Sequence, residues 1–303
     1  MTFSIERFVS LSKAVETNDL DWDYIARVGV TSDEARVLRY MADTESHTII
    51  YLRDLLSGHT ARDPEITAFL SCWVYEEFNH GRAIDRFLGA CGRPPDKDHY
   101  TKVTASAHWV EDLEAFLTTS LPRLTPHFAA AHMAWGALDE MMAASAYTQL
   151  AAHTKNRELS KLLLRMAKDE RRHQSFYYHQ AEKRLYHPLA RFLTRLALYR
   201  FWSPVGIGVG GDDDELAFIG CLLYGHDHGD DELRHMDNMM ARLPGLESCT
   251  LAYDHVRRRM DSFGLRNPSE LARLSAQHEH RKAMEDSDGH AVAGLGNQLA
   301  EGI

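Results

Sequence analysis

Cysteine is scarce in this chain. Only Cys72, Cys91, Cys221 and Cys249 occur in 303 residues, widely separated and without a Cys-x-x-Cys pair. Such cysteines read as reduced thiols of a cytoplasmic protein. Long apolar runs are missing too: no uncharged stretch approaches the roughly 18 residues of a membrane span. The N-terminal MTFSIERFVSLSKAVE carries Glu6 and Lys13 and lacks a long apolar core, so it is a poor signal peptide. Positive charge is not in excess. The net charge of −10 argues against nucleic acid as the main partner, while leaving room for a local basic face. No strand-rich region and no fixed-period repeat is visible.

What is present is long helical periodicity. With 44% hydrophobic and 26% charged residues, the composition is that of a globular chain able to bury a sizeable core. Residues 31–57 open with a Thr31-x-x-Glu34 capping box and stop at Gly58. Residues 64–88 start with Asp63 as N-cap and Pro64 at the first helical position, and end near Gly89 and Gly92. A shorter helix is expected over 106–121. Residues 126–153 begin at Thr125-Pro126, and residues 157–187 follow Asn156 and stop before Pro188. Four long helices with short links predict an all-α bundle. After Pro188 the chain reads as an amphipathic, basic helix. A loop follows, then helical segments near 213–224, 230–242 and 247–263. The expected organisation is a bundle with an N-terminal helix over 1–187, a helical extension packed on it over 188–285, and a flexible tail over 286–303.

Three Glu-x-x-His pairs occur: Glu77 with His80, Glu170 with His173, and Glu232 with His235. With 20 Glu and 18 His in the chain, chance supplies about one such pair, so helical context has to decide. On the second long helix Leu70, Trp73, Glu77, His80, Ile84 and Phe87 recur at three- and four-residue spacing. On the fourth, Leu163, Met166, Glu170, His173 and Tyr177 do the same. The first helix places Glu45 in mid-stripe between Leu38, Met41, Ile49 and Leu52. The third places Glu140 among Met133, Gly136, Ala137, Ala144 and Tyr147. Carboxylates in an apolar core must be paired, protonated or bound to metal. One Glu from each of two helices and a Glu-x-x-His from each of the other two is the ligand set of a carboxylate-bridged di-metal centre. Oxygen and nitrogen ligands without thiolate suit iron or manganese. Glu45, Glu77, His80, Glu140, Glu170 and His173 are therefore the candidate metal and catalytic residues. Gly136, Ala137, Ala143 and Ala144 leave space beside Glu140 for a substrate channel, or else for close helix packing.

These residues carry a resemblance. TESHTIIYLRDLL, WVYEEFNHG, DEMMAASAY and DERRH are similar to the ligand helices of the soluble acyl-carrier-protein desaturases, a family of the ferritin-like di-iron superfamily. The likeness covers roughly residues 30–187. The stretch between Glu45 and Glu77 is shorter than in the plant-type enzymes, and the segment after Pro188 does not resemble them. The resemblance implies a ferritin-like four-helix bundle with additional N- and C-terminal helices. It implies two Fe ions per chain, O2 as co-substrate, a ferredoxin-like external electron donor, an acyl carrier protein bearing the substrate, and a homodimer. It places Trp73 and Asp169 around the ligands, with Asp169 orienting His80. The expected reaction removes hydrogen from an acyl chain, giving an alkene or an alcohol. An N-oxygenase of the same superfamily is the alternative, but it has a histidine one turn before the last glutamate, where this chain has Met166. Iron storage or detoxification is a further alternative.

Other motifs are weaker. Gly206, Gly208 and Gly211 match GxGxxG, but no strand precedes them, and Asp212, Asp213 and Asp214 would repel a pyrophosphate. Glu232 with His235 reads as a solvated face, His226 and His228 as a polar loop, and His278 and His280 as carrying no site. An acidic chain that docks an acidic carrier needs a basic face. From Lys183 to Gly211 there is no Asp or Glu. Arg191 and Arg195, four residues apart, are the candidate docking pair, with Phe192, Leu196 and Tyr199 expected to point inward.

Overall fold

The computed structural model describes residues 3–95, 125–204 and 213–271. The helix expected over 106–121, the Gly206–Gly211 motif, His278, His280 and the tail lie outside them. Among the described residues there are ten α-helices and no strand. Two short helices, α1 (Ile5–Leu11) and α2 (Trp22–Val28), precede the bundle. The bundle is α3 (Ser32–Ser57), α4 (Pro64–Ala90), α5 (Ala129–His153) and α6 (Arg157–Arg184). Then follow α7 (Pro188–Phe201), α8 (Asp213–Tyr224), α9 (Gly229–Met240) and α10 (Leu251–Ser262). No described helix is long and apolar enough to cross a membrane.

The helix starts are set by local chemistry. Thr31 and Glu34 form a reciprocal capping box. Asp63 accepts from the backbone N–H groups of Glu65 and Ile66, with Pro64 at the first turn. Asn156 accepts from Glu158 and Leu159. Each cap satisfies donors that the first turn leaves without a partner. α3 packs on α4 and α5 on α6, and α4 meets α6 across the bundle. The α5–α6 contact is tight because Gly136 has no side chain: a Cβ there would lie 2.5 Å from Cε1 of Tyr177. The last three helices join the same buried core, with α8 and α9 against both α5 and α10.

The α7 expectation needs correcting. Ala190, Leu193, Thr194, Ala197 and Leu198 face the protein, while Phe192, Leu196 and Tyr199 are exposed. The helix has two apolar faces, and only the one with small residues fits closely against α5. Arg191 donates from Nε to the Leu185 carbonyl at 2.6 Å, satisfying the end of α6. Arg195 stands exposed beside it, so the two arginines differ in role. Lys183 and Arg184 pair with Glu65 and Asp63 at the start of α4. The stripe expected on α3 is also imperfect, since Ile49 is exposed.

Buried His132 on α5 shares a 2.9 Å hydrogen bond through Nδ1 with Thr60 Oγ1. Burial pushes its pKa down to about 4. The folded protein thus keeps it neutral, while the unfolded chain protonates it near the ordinary value of about 6.5. Its contribution is full above that value and falls away as pH drops toward 4, by up to about 3 kcal/mol. Urea titrations across this range should show a shallower pH dependence in His132→Leu than in wild type. Equal slopes would contradict the assignment.

Candidate metal centre

The four bundle helices bring the six predicted ligands together. Glu45 comes from α3, Glu77 and His80 from α4, Glu140 from α5, and Glu170 and His173 from α6. None is more than 5% exposed. Two groups of ligand atoms form. Glu45, Glu77, His80 and Glu170 make one, and Glu77, Glu140, Glu170 and His173 the other. Within each group the atoms lie within 4.8 Å of one another. Glu77 and Glu170 belong to both, as carboxylates spanning two metal positions would.

Both imidazoles aim Nδ1 inward. His80 Nδ1 is 3.0 Å from Glu170 Oε1, yet neither atom makes a hydrogen bond. Two buried ligand atoms at this distance could face one ion. His173 Nδ1 lies 2.9 Å from both Glu77 and Glu170. The outward nitrogens face carboxylates. His80 Nε2 is 3.5 Å from an Asp169 carboxylate oxygen, and His173 Nε2 is 2.7 Å from Glu76.

Glu76 was not anticipated, since it lies only at the edge of the ligand stripe, three residues after Trp73 and four before His80. A signal existed, though: Glu76 precedes Glu77 as Asp169 precedes Glu170, and each serves the other motif's histidine. Arg172 joins the two, reaching Glu76 and Asp169 at 2.8 Å each, and the backbone N–H of Lys13 donates to Glu76 as well. Such outer partners fix the tautomer and orientation of ligating histidines. The lone glutamates have aromatic donors. Trp73 Nε1 donates to Glu140 at 2.8 Å, and the Tyr147 hydroxyl donates to Glu45.

The electrostatics of the cluster favour cation binding. Burial, then Glu77, pushes Glu45 well above the carboxylate range. Burial likewise raises Glu140, and burial with Glu170 raises Glu77 to about 8. Burial opposes ionisation of Glu170 too, but His80 and His173 outweigh it and hold that carboxyl low. Burial disfavours a charged His80, yet Glu170, Asp169 and Glu45 raise it to about 10. Without metal the cluster must hold protons that a divalent ion would displace. Four carboxylates, two imidazoles and the unbonded inward atoms of Glu45, Glu77, His80 and Glu170 fit iron.

An apolar cavity of about 100 Å³ reaches this cluster at Glu45 and Tyr147. Met41, Met142 and Ala143 wall one side, and Leu216, Ile219 and Leu223 of α8 the other. Of the small residues expected to line a channel, Ala143 does. Gly136 and Ala137 lie instead in the packed interior, and Ala144 is buried outside the lining. His226 stacks on His153 at 3.5 Å, His228 sits 3.4 Å from Asp231, and His235 is exposed. Among the described residues none of them joins a metal-competent group.

A family model described as Rubrerythrin matches residues 137–195, which include Glu140, Glu170 and His173. No curated protein matches the chain. The fold is an all-α, ferritin-like bundle, and the site has the composition of a di-iron centre. Nothing in the match is specific to the acyl-carrier-protein desaturases.

Proposed function

We propose that this chain is an O2-dependent di-iron oxidoreductase that removes hydrogen from an apolar chain, with an acyl group as substrate. The observation that carries this reading is the apolar cavity ending on Glu45. At about 100 Å³ the space is smaller than a whole acyl chain, and it is its apolar lining beside one ligand that favours a C–H substrate over storage of hydrated iron. Two irons held by the six residues would supply dioxygen activation and hydrogen removal from an unactivated C–H bond. Glu77 and Glu170 would span both positions. His80 and His173 would hold one side each, kept in register by Asp169 and Glu76. Tyr147 holds Glu45 at the junction with the cavity, and apolar α8 side chains line that cavity.

Desaturation consumes O2, two electrons, two protons and two substrate hydrogens, giving an alkene and two waters. Hydroxylation with the same electrons and protons gives an alcohol and one water. The electrons come from an external donor of the ferredoxin kind. A carrier-bound acyl chain, a homodimer and a cytoplasmic setting belong to the same reading. Met166, buried on the ligand face of α6, stands where the N-oxygenase alternative has a histidine.

Mass spectrometry of acyl substrates after turnover with iron, O2 and a reductant tests the proposal. Loss of two hydrogens marks desaturation, and gain of one oxygen marks hydroxylation. Filling the cavity with Ala143→Phe should leave iron content intact and lower substrate-dependent O2 consumption by about tenfold or more. Unchanged turnover in that variant would remove the cavity from the mechanism.

A further inference from the structure

α7 presents an exposed apolar stripe of defined composition. Leu189, Phe192, Leu196 and Tyr199 are all at least 39% exposed, Phe192 reaching 61%. At 3.6 residues per turn they fall within roughly 80° of arc. Arg195 borders the stripe on one side and Arg200 on the other, both exposed. Tyr186, 68% exposed, extends the patch at the start of the helix. From Lys183 to Gly211 there is no acidic residue, although the chain as a whole carries −10. Glu247 faces Arg191 and Arg195, and Ser248 hydrogen-bonds the Tyr199 hydroxyl. Arg191 itself is committed to the Leu185 carbonyl.

We propose that α7 is an in-plane anchor for an anionic lipid surface. A single stripe of apolar side chains flanked by one arginine on each side suits a fluid interface. A protein partner would have to supply a matching groove. Tyr186, at the start of the helix, is suited to the headgroup level, where an apolar ring and a polar hydroxyl are both satisfied. The acidic remainder of the molecule would be repelled by the same surface, so the basic face sets the orientation. α7 also leads directly to the cavity. Trp202, just beyond its end, is fixed by Asp139 at 2.9 Å, and Pro204 lines the cavity beside Glu45. A lipid-derived acyl chain would therefore be delivered from this face, a consequence that rests on the proposed function, whereas the surface itself does not.

The test is co-sedimentation of the full chain with phosphatidylcholine vesicles, with and without phosphatidylserine. Binding is expected only to the vesicles containing phosphatidylserine, and should weaken with salt. Phe192→Ser with Leu196→Ser, and separately Arg195→Glu with Arg200→Glu, should each reduce that binding by about tenfold or more. These side chains are exposed, and unchanged thermal unfolding and iron content would confirm that either pair leaves the fold intact. Failure of wild type to sediment at low salt overturns the proposal, as does equal binding by both double variants. A wild-type dimer that Phe192→Ser with Leu196→Ser dissociates, without vesicle binding, would assign the face to a second copy instead. Binding of an acidic carrier protein, but not of vesicles, would assign it to that partner. Both results reject the lipid anchor without touching the metal site. Conversely, vesicle binding with no acyl oxidation would retain the anchor and reject the proposed function.

Discussion

Glu170→Ala is expected to hold no iron after anaerobic loading, whereas Glu45→Ala and Glu140→Ala should each retain about one of the two ions expected for this ligand set. The difference follows from sharing. Glu170 belongs to both ligand groups, and Glu45 and Glu140 to one each. Glu170 is also the carboxylate that sits against both imidazoles, so its loss leaves His80 and His173 without their common counter-charge. Glu77→Ala should behave like Glu170→Ala. Metal analysis of the four purified variants checks the pattern, and O2-dependent turnover should vanish in the two bridging variants. Equal metal content across the set would contradict the two-position geometry. Full iron in Glu170→Ala would remove the metal centre altogether.

Phe69→Ala should cost about 3–5 kcal/mol in folding stability, the range for truncating a buried phenylalanine. Phe69 is fully buried. It stacks on Phe176 with centroids 3.9 Å apart and meets Tyr177 edge-on at 4.9 Å. It also packs against Phe8 of α1 at 5.0 Å and lies edge-on to His173. The cavity left behind would thus border a metal ligand. Urea unfolding of the metal-free variant gives the cost. Ferrous iron that binds only the folded chain, at about a hundred times its dissociation constant, would restore about 2.7 kcal/mol. A loss below about 1 kcal/mol would mean that the aromatic cluster relaxes around the gap.

The bundle was legible because its signals are local. Thr31, Asp63 and Asn156 cap helices through their own neighbours, and an N-cap requires nothing distant. The ligands were legible for a different reason: Glu45, Glu77, Glu140 and Glu170 interrupt apolar stripes where a carboxylate is costly. Glu76 lay at the edge of the stripe, about 40° round the helix from His80. Only the approach of α6 and of Lys13 encloses it, and neither approach is written in the periodicity of α4. The hydrogen bond from Tyr147 to Glu45 likewise joins two helices whose mutual rotation sequence does not fix. On α7, hydrophobicity alone chose the wrong face. Two apolar stripes competed there, and the smaller side chains won the contact with α5.

The order in which the ligands occur along the chain has a consequence for assembly. A polypeptide synthesised only as far as α5 already carries Glu45, Glu77, His80 and Glu140. It lacks Glu170, which both ligand groups require. No complete site can exist until α6 has been made and has closed against α4 and α5. Iron held by these residues would therefore be acquired late, by an already assembled bundle. It would fasten four helices at a single point and act as a clasp on a finished fold rather than as a nucleus for folding.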